Sequence, residues 1–285
     1  CRGVLPGPAE AVRSHRRPVG VAAVLKQRIL TALIALVVLL VVMFALPENA
    51  TKAFIGLLIL GGAWEWAGFL ESDNRLVRFV YVGFIAVLLF AVDLALPDAA
   101  LPVLIASLAW WAIALAWTFV FPTRIPMPFR WLGGVLILVP LFVALATLYT
   151  TGPEYLLFAL FVVWGADVGA YFAGRRFGRV KLAPSISPGK TWEGVLGGLI
   201  VVAVVATVFA SNLGLRPALI VPFSMAAAAL SVVGDLTVSM FKRTAGLKDS
   251  GKLFPGHGGI LDRIDSVSAA APLFAIGVFV AGVAA

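Results

Sequence analysis

The chain has 285 residues, of which 61% are hydrophobic and 13% charged, with a net charge of +8 and a mean hydropathy of +1.04. Soluble domains carry charge on about 25% of their residues, so this composition excludes an ordinary soluble enzyme, a disordered chain and a nucleic-acid-binding domain. On so apolar a chain the basic excess points first to membrane topology and leaves room for a phosphate-bearing partner, while one cysteine, Cys1, excludes an internal disulfide and a cysteine zinc cluster.

Residues 1–23 hold Arg2, Arg13, Arg16, Arg17 and three prolines, without a long apolar run. They are expected to be a disordered or artefactual extension, with Val24 starting the functional unit 24–285. From Ile29 onward the apolar stretch is too long for a signal-peptide core, so it is expected to remain as a first span. Windows of about 20 apolar residues, the length that crosses roughly 30 Å of hydrocarbon, predict about nine helices near 29–46, 53–70, 78–96, 101–121, 131–149, 155–173, 194–213, 218–241 and 264–284. The expected fold class is therefore all-α, a polytopic integral membrane protein. With the N-terminus in the cytoplasm, only Lys52 and Arg216 of the 22 Lys and Arg residues fall on the outer side, as the positive-inside rule requires. Trp131, Tyr149 and Tyr155 lie at predicted span ends, where amphipathic rings favour the membrane interface.

An Asp at the centre of a span costs about 2.5–3.5 kcal/mol, so acidic residues inside spans need a reason. Asp93 falls at an outer span end and suits an interfacial role. Glu65, in Trp64-Glu65-Trp66, fits either an interhelical hydrogen bond or a place near a site. Asp167 and Asp235 directly precede two long basic loops, which favours a functional role. In the eighth span Ser231, Asp235, Ser239 and Lys242 follow at i, i+4, i+8 and i+11, which places a hydroxyl, a carboxylate, a second hydroxyl and an ammonium on one helical face. Beyond them come Arg243, Lys248-Asp249, the run Gly256-His257-Gly258-Gly259, and Asp262-Arg263-Ile264-Asp265. Glycines around His257 permit close backbone approach to a ligand, and Asp262 and Asp265 at i, i+3 can project together. Hard carboxylate oxygens beside Lys and Arg suit Mg²⁺ holding a polyphosphate. Zinc is disfavoured because His15 and His257 are the only histidines.

In the preceding loop, Ser187-Pro188-Gly189-Lys190-Thr191 predicts a helix start, with Ser187 as N-cap and Pro188 as first helical residue. Lys190 in that first turn opposes the helix dipole unless an anion sits there. Gly-Lys-Thr is not a nucleotide P-loop, since the preceding glycine at the required spacing and the preceding strand are missing.

The stretch from Ser239 to Asp265 closely resembles the signature of the phosphatidate cytidylyltransferases, or CDP-diacylglycerol synthases. Trp164-Gly-Ala-Asp167, Lys181-Leu-Ala-Pro and Ser187-Pro-Gly-Lys190-Thr-Trp-Glu-Gly are similar to that family too, and the likeness of layout runs from about Leu25 to the end. Val168 and Val238 depart from it, at positions where relatives carry Ser or Thr and often Glu. The resemblance implies a homodimeric enzyme of the bacterial cytoplasmic (inner) membrane, with its active site on the cytoplasmic side. It would convert CTP and phosphatidic acid to CDP-diacylglycerol and pyrophosphate with Mg²⁺, a second, monovalent cation being a further candidate. Asp235 and Asp262, with Asp249 and Asp265 near them, are then the expected metal ligands. Lys190, Lys242, Arg243, Lys248 and Arg263 would neutralise phosphates, with Ser187, Ser239, Thr191, His257 and the backbone at Gly256, Gly258 and Gly259 as further contacts and Asp167 as another polar site candidate. A transporter would show paired halves or broken helices near the midplane, whereas the polar signal here gathers at one face. The closely spaced Asp-Gly-x-x-Ala-Arg pattern of the CDP-alcohol phosphotransferases is absent.

Overall fold

The computed structural model describes residues 21–70, 74–96, 98–251 and 258–283, with side chains from Leu30 onward. In chain order the elements are α1 (Val21–Ala45), α2 (Glu48–Trp66) with a 3-10 turn at Ala67–Phe69, α3 (Arg75–Leu94), α4 (Ala100–Val120), α5 (Met127–Thr151) and α6 (Pro153–Phe177). The short strands β1 (Lys181–Ala183) and β2 (Ser187–Thr191) follow, then α7 (Trp192–Asn212), α8 (Pro217–Thr244) and α9 (Leu261–Val280). Helices α3 to α9 are long and apolar enough to cross a membrane, so the chain is a multi-pass membrane protein. The described part of α1 adds a shorter apolar helix, Leu30–Ala45, and α2 is interrupted by Glu48, Lys52 and Glu65. Most of the expected extension, residues 1–20, lies outside the described residues.

Helices α5 and α9 form the centre: 67% of each apolar window is buried, against 17% in α3. Large apolar side chains such as Phe79, Val87 and Phe90 on α3, and Leu196, Ile200 and Val204 on α7, stay exposed, as a lipid-facing surface requires. Tyr149, near the end of α5, is buried among the packed helices.

Small residues set the closest helix approaches, as they do where lipid supplies no hydrophobic drive between helices. A Cβ on Gly169 of α6 would lie 2.7 Å from the Gly197 carbonyl of α7, and one on Gly198 would lie 2.7 Å from the Ala166 carbonyl. On the other side of α8, a Cβ on Gly234 would stand 2.5 Å from the Asp265 carbonyl and 2.9 Å from Ala269 Cβ. Gly234→Ala is therefore expected to force α8 and α9 apart, at the 1–3 kcal/mol typical of overpacking. A lowered thermal midpoint in detergent, with loss of whatever activity needs Asp235 next to Asp265, checks this.

The start of α7 differs from the sequence expectation. Ser187 does not cap it and Pro188 is not in its first turn. Residues 187–191 pair antiparallel with 181–183, in the register Lys181 to Thr191 and Ala183 to Ser187, and α7 begins at Trp192. Its N-cap is Thr191, extended at φ −133° and ψ 154°, whose hydroxyl accepts the Gly194 N–H at 3.2 Å. Two causes act together. Gly189 would cost a first turn about 1 kcal/mol relative to Ala, and the hairpin satisfies the backbone it occupies, with Trp192 N–H bonded to the Val180 carbonyl and Glu193 accepting the Val180 N–H.

Candidate active site

The stripe predicted on α8 exists, and it faces protein. Ser231 is buried and donates to the Ala228 carbonyl at 2.7 Å. One turn on, Asp235 makes two contacts: Oδ1 accepts the Ser239 hydroxyl at 3.1 Å and Oδ2 pairs with Lys190 Nζ at 2.5 Å. Lys190 thus arrives from the hairpin. The dipole-based reason for its presence fails along with the predicted helix start, and Asp235 replaces it. Two turns beyond Asp235, Lys242 pairs with Asp262 Oδ1 at 2.6 Å.

Asp262 sits in the first turn of α9, and its other oxygen, Oδ2, accepts the backbone N–H groups of Ser250 and Gly259 at 3.0 Å each. Gly258 is required there twice over, by φ +78° and because a Cβ would lie 2.5 Å from Asp262 Oδ2. Asp265, one turn further, is buried, accepts the Ser266 N–H at 2.8 Å, and lies within electrostatic reach of Asp235, Lys242 and Lys190. Two lysine–aspartate pairs therefore stand side by side on α8, with a third carboxylate reaching both.

A cavity of about 360 Å³ opens beside the first pair, between α6, the hairpin, α7 and α8. Asp167, Arg175, Lys190, Thr191 and Asp235 bring polar atoms to it, and Ala166, Ala170, Gly174, Gly194 and Gly198 keep its walls low. Asp167 is in electrostatic reach of Lys190, Asp235 and Arg263. The volume lies in the ligand range of about 300–1,000 Å³.

The remaining predicted residues are distributed unevenly. Ser187 lies on β2, half-buried, outside the cavity lining; Arg243, Lys248, Asp249 and Arg263 are exposed near the α8–α9 connection. Gly256 and His257 lie outside the described residues. The four expected metal ligands are not gathered into one cluster: among the described residues no group of three His, Cys, Asp or Glu side chains is close enough to hold a metal. Asp235 and Asp265 are neighbours, whereas both oxygens of Asp262 are taken up by Lys242 and two backbone amides.

Sequence reasoning left the use of Glu65 open and missed the structural role of Arg130. Glu65 accepts the Ser250 hydroxyl and the N–H groups of Ile260 and Leu261; its signal was an acid in an apolar span. Arg130, expected only to set orientation, is buried and donates to the carbonyls of Ile125 and Phe69. Nothing local marks it apart from other basic residues near span ends. Asp93, by contrast, keeps a bland role, 3.4 Å from Lys52.

A bundle of apolar helices with paired lysines and carboxylates gathered at one end defines a membrane protein equipped for phosphate chemistry. The chain belongs to the Cytidylyltransferase family, which matches residues 26–281. It is 42% identical over 273 residues to the phosphatidate cytidylyltransferase of Pseudomonas aeruginosa, covering 90% of this chain and 98% of that one. The Haemophilus influenzae phosphatidate cytidylyltransferase is 38% identical over 280 residues, covering 88% and 97%. That of Bacillus subtilis is 41% identical over a shorter region of 127 residues, 44% of this chain and 47% of the relative.

Proposed function

We infer that this chain transfers CMP from CTP to phosphatidic acid, giving CDP-diacylglycerol and pyrophosphate. The observation that carries this inference is the pair of lysine–aspartate couples on one face of α8, Lys190–Asp235 and Lys242–Asp262, in a chain that aligns with phosphatidate cytidylyltransferases along 90% of its length. An oxygen of the phosphatidate phosphate bonds to the α-phosphorus of CTP as the bond from that phosphorus to the bridging oxygen of the β-phosphate breaks, and the electron pair leaves with pyrophosphate. A phosphate monoester has a second pKa of about 6, so the nucleophile is already ionised near neutral pH and needs no general base.

Both reactants are anionic, so the chain's first task is to offset their repulsion. Lys190 and Lys242 supply two ammonium groups, 26% and 10% exposed, where screening by water is reduced. Arg175, at the cavity, and Arg263, near Asp167, add cationic groups for the lipid phosphate, while the acyl chains remain between lipid-facing helices. Magnesium suits the donor set: it takes one or two protein carboxylates alongside substrate phosphates and water, and Asp235 and Asp265 are adjacent hard-oxygen donors, with Asp167 facing the cavity. When bound it would neutralise triphosphate charge and polarise the α-phosphoryl group. Asp262 also holds Lys242 and the loop, and with Asp235 it stays among the proposed ligands. The concentration of Lys and Arg at the loop-bearing end supports a cytoplasmic face for the site, in the inner membrane of a bacterium, and a homodimer is the proposed assembly.

Purified chain supplied with phosphatidic acid, labelled CTP and Mg²⁺ is expected to form labelled lipid and one pyrophosphate per lipid, with EDTA stopping and added Mg²⁺ restoring the reaction. Folded protein that forms no labelled liponucleotide would overturn the assignment.

A further inference from the structure

We propose that Glu65 is a positioning residue, the tie that holds the two ends of the α8–α9 connection at the spacing the site uses; the proposal rests on the CMP-transfer activity inferred above. Glu65 belongs to a different part of the chain, the last turn of α2, and touches neither lysine–aspartate pair. Its carboxylate takes three donors from the connection. Oε1 accepts the Ile260 N–H at 3.0 Å, and Oε2 accepts the Leu261 N–H and the Ser250 hydroxyl, each at 2.8 Å.

These bonds interlock with those of Asp262. Ser250 is gripped by both carboxylates, its N–H by Asp262 and its hydroxyl by Glu65, and the three successive amides of Gly259, Ile260 and Leu261 go to Asp262, Glu65 and Glu65. Residue 250 and residues 259–261 are thereby fastened to one another. The first end follows Lys248 and Asp249, and the second leads into Arg263 and Asp265.

Helix α9 needs this help. Ile260, its N-cap, has helical φ and ψ and makes no side-chain capping bond, so its first amides would otherwise lack partners. A carboxylate also favours the positive end of a helix dipole. In α2 itself the same charge stands near the C-terminal end, where the dipole opposes it, so the contacts to α9 must supply the compensation.

Two glycines record the arrangement in the sequence. A Cβ on Gly251 or on Gly259 would collide with the Glu65 carboxylate, so the connection carries glycine where Glu65 presses against its backbone. Neighbouring packing fixes the carboxylate relative to α8: Trp66 is fully buried, its ring centroid lies 4.8 Å from that of Phe241, and its Nε1 donates to the Arg130 carbonyl.

The test uses full-length chain in detergent, comparing wild type, Glu65→Gln and Ser250→Ala in kcat/KM for CTP and in backbone hydrogen exchange over residues 258–263. Gln keeps the shape of Glu but turns an NH2 towards N–H or O–H donors. Because a misplacement of about 1 Å at a remote support can cost 10²-fold, E65Q is expected to lose about 10- to 100-fold in kcat/KM. Exchange at Ile260 and Leu261 should accelerate while α5 stays protected. Ser250→Ala, which removes one donor of three, should lie between wild type and E65Q in both measurements.

Wild-type kcat/KM in E65Q, unchanged exchange over 258–263, or exchange raised equally throughout the bundle would each overturn the proposal. If E65Q does not fold, Ser250→Ala decides: reduced kcat/KM with locally raised exchange supports it, and wild-type behaviour overturns it. A wild-type chain that forms no liponucleotide, while E65Q still frees the 258–263 amides, would sink the inferred reaction and leave the anchoring in place.

Discussion

Asp235→Asn is expected to lower CMP transfer by about 100- to 1,000-fold, the range seen when one preorganised electrostatic group is removed from an active site, while the bundle stays folded. Asn can still accept from Ser239 at one oxygen, so the shape of the stripe survives. What disappears is the negative charge opposite Lys190 Nζ, 2.5 Å away, and with it one of the two carboxylate oxygens next to Asp265. Lys190→Met removes the other half of the couple and should be similarly damaging. Groups that act as a unit are not additive, so the double variant should be little worse than either single one. Steady-state rates with labelled CTP, alongside size-exclusion profiles and thermal midpoints, provide the measurement. An Asp235→Asn protein working within a few fold of wild type would remove Asp235 from the chemistry.

Lys242→Met is expected to show its largest effect in stability. The Lys242 and Asp262 side chains are 10% and 8% exposed, against 26% and 27% for Lys190 and Asp235. Removing one member of an enclosed pair leaves an uncompensated charge, at a cost of about 3–5 kcal/mol. Here the stranded charge would be Asp262, which also holds Ser250 and Gly259, so the damage should spread into the α8–α9 connection. The thermal midpoint of Lys242→Met should therefore fall well below that of Lys190→Met, and kcat should fall with it. Asp262→Asn should be milder in stability, since the amide oxygen can still accept a backbone N–H of the connection. Equal midpoints for Lys242→Met and Lys190→Met would show that the enclosed pair carries no special weight.

Much of the site was legible because its signals are local. The i, i+4, i+8 and i+11 spacing of Ser231, Asp235, Ser239 and Lys242 needs only the helical period. The error at Ser187 and Pro188 came from reading helix signals that were individually sound. Capping preference, however, cannot register that residues 181–183 will pair with 187–191, nor that Glu193 will take the Val180 N–H. Once that hairpin forms, Thr191 becomes the cap and Lys190 swings to Asp235. The set Asp235, Asp249, Asp262 and Asp265 was grouped by residue type and nearness in sequence. In space, Asp262 pairs with Lys242 and accepts two amides, Asp249 is exposed, and Asp265 is buried within electrostatic reach of Asp235.

Sequence alone determined that this chain is a helical membrane protein, and at which ends of its spans the polar and basic residues gather. Those are properties of hydropathy over windows of about 20 residues and of side-chain period along one helix. Only the tertiary structure decided which charge meets which. The partners of Asp235, Asp262 and the Ser250 hydroxyl are Lys190, Lys242 and Glu65, each from a different element. Such pairings depend on how closely Gly169, Gly198 and Gly234 let their helices approach, which is a property of packed surfaces that no single segment holds.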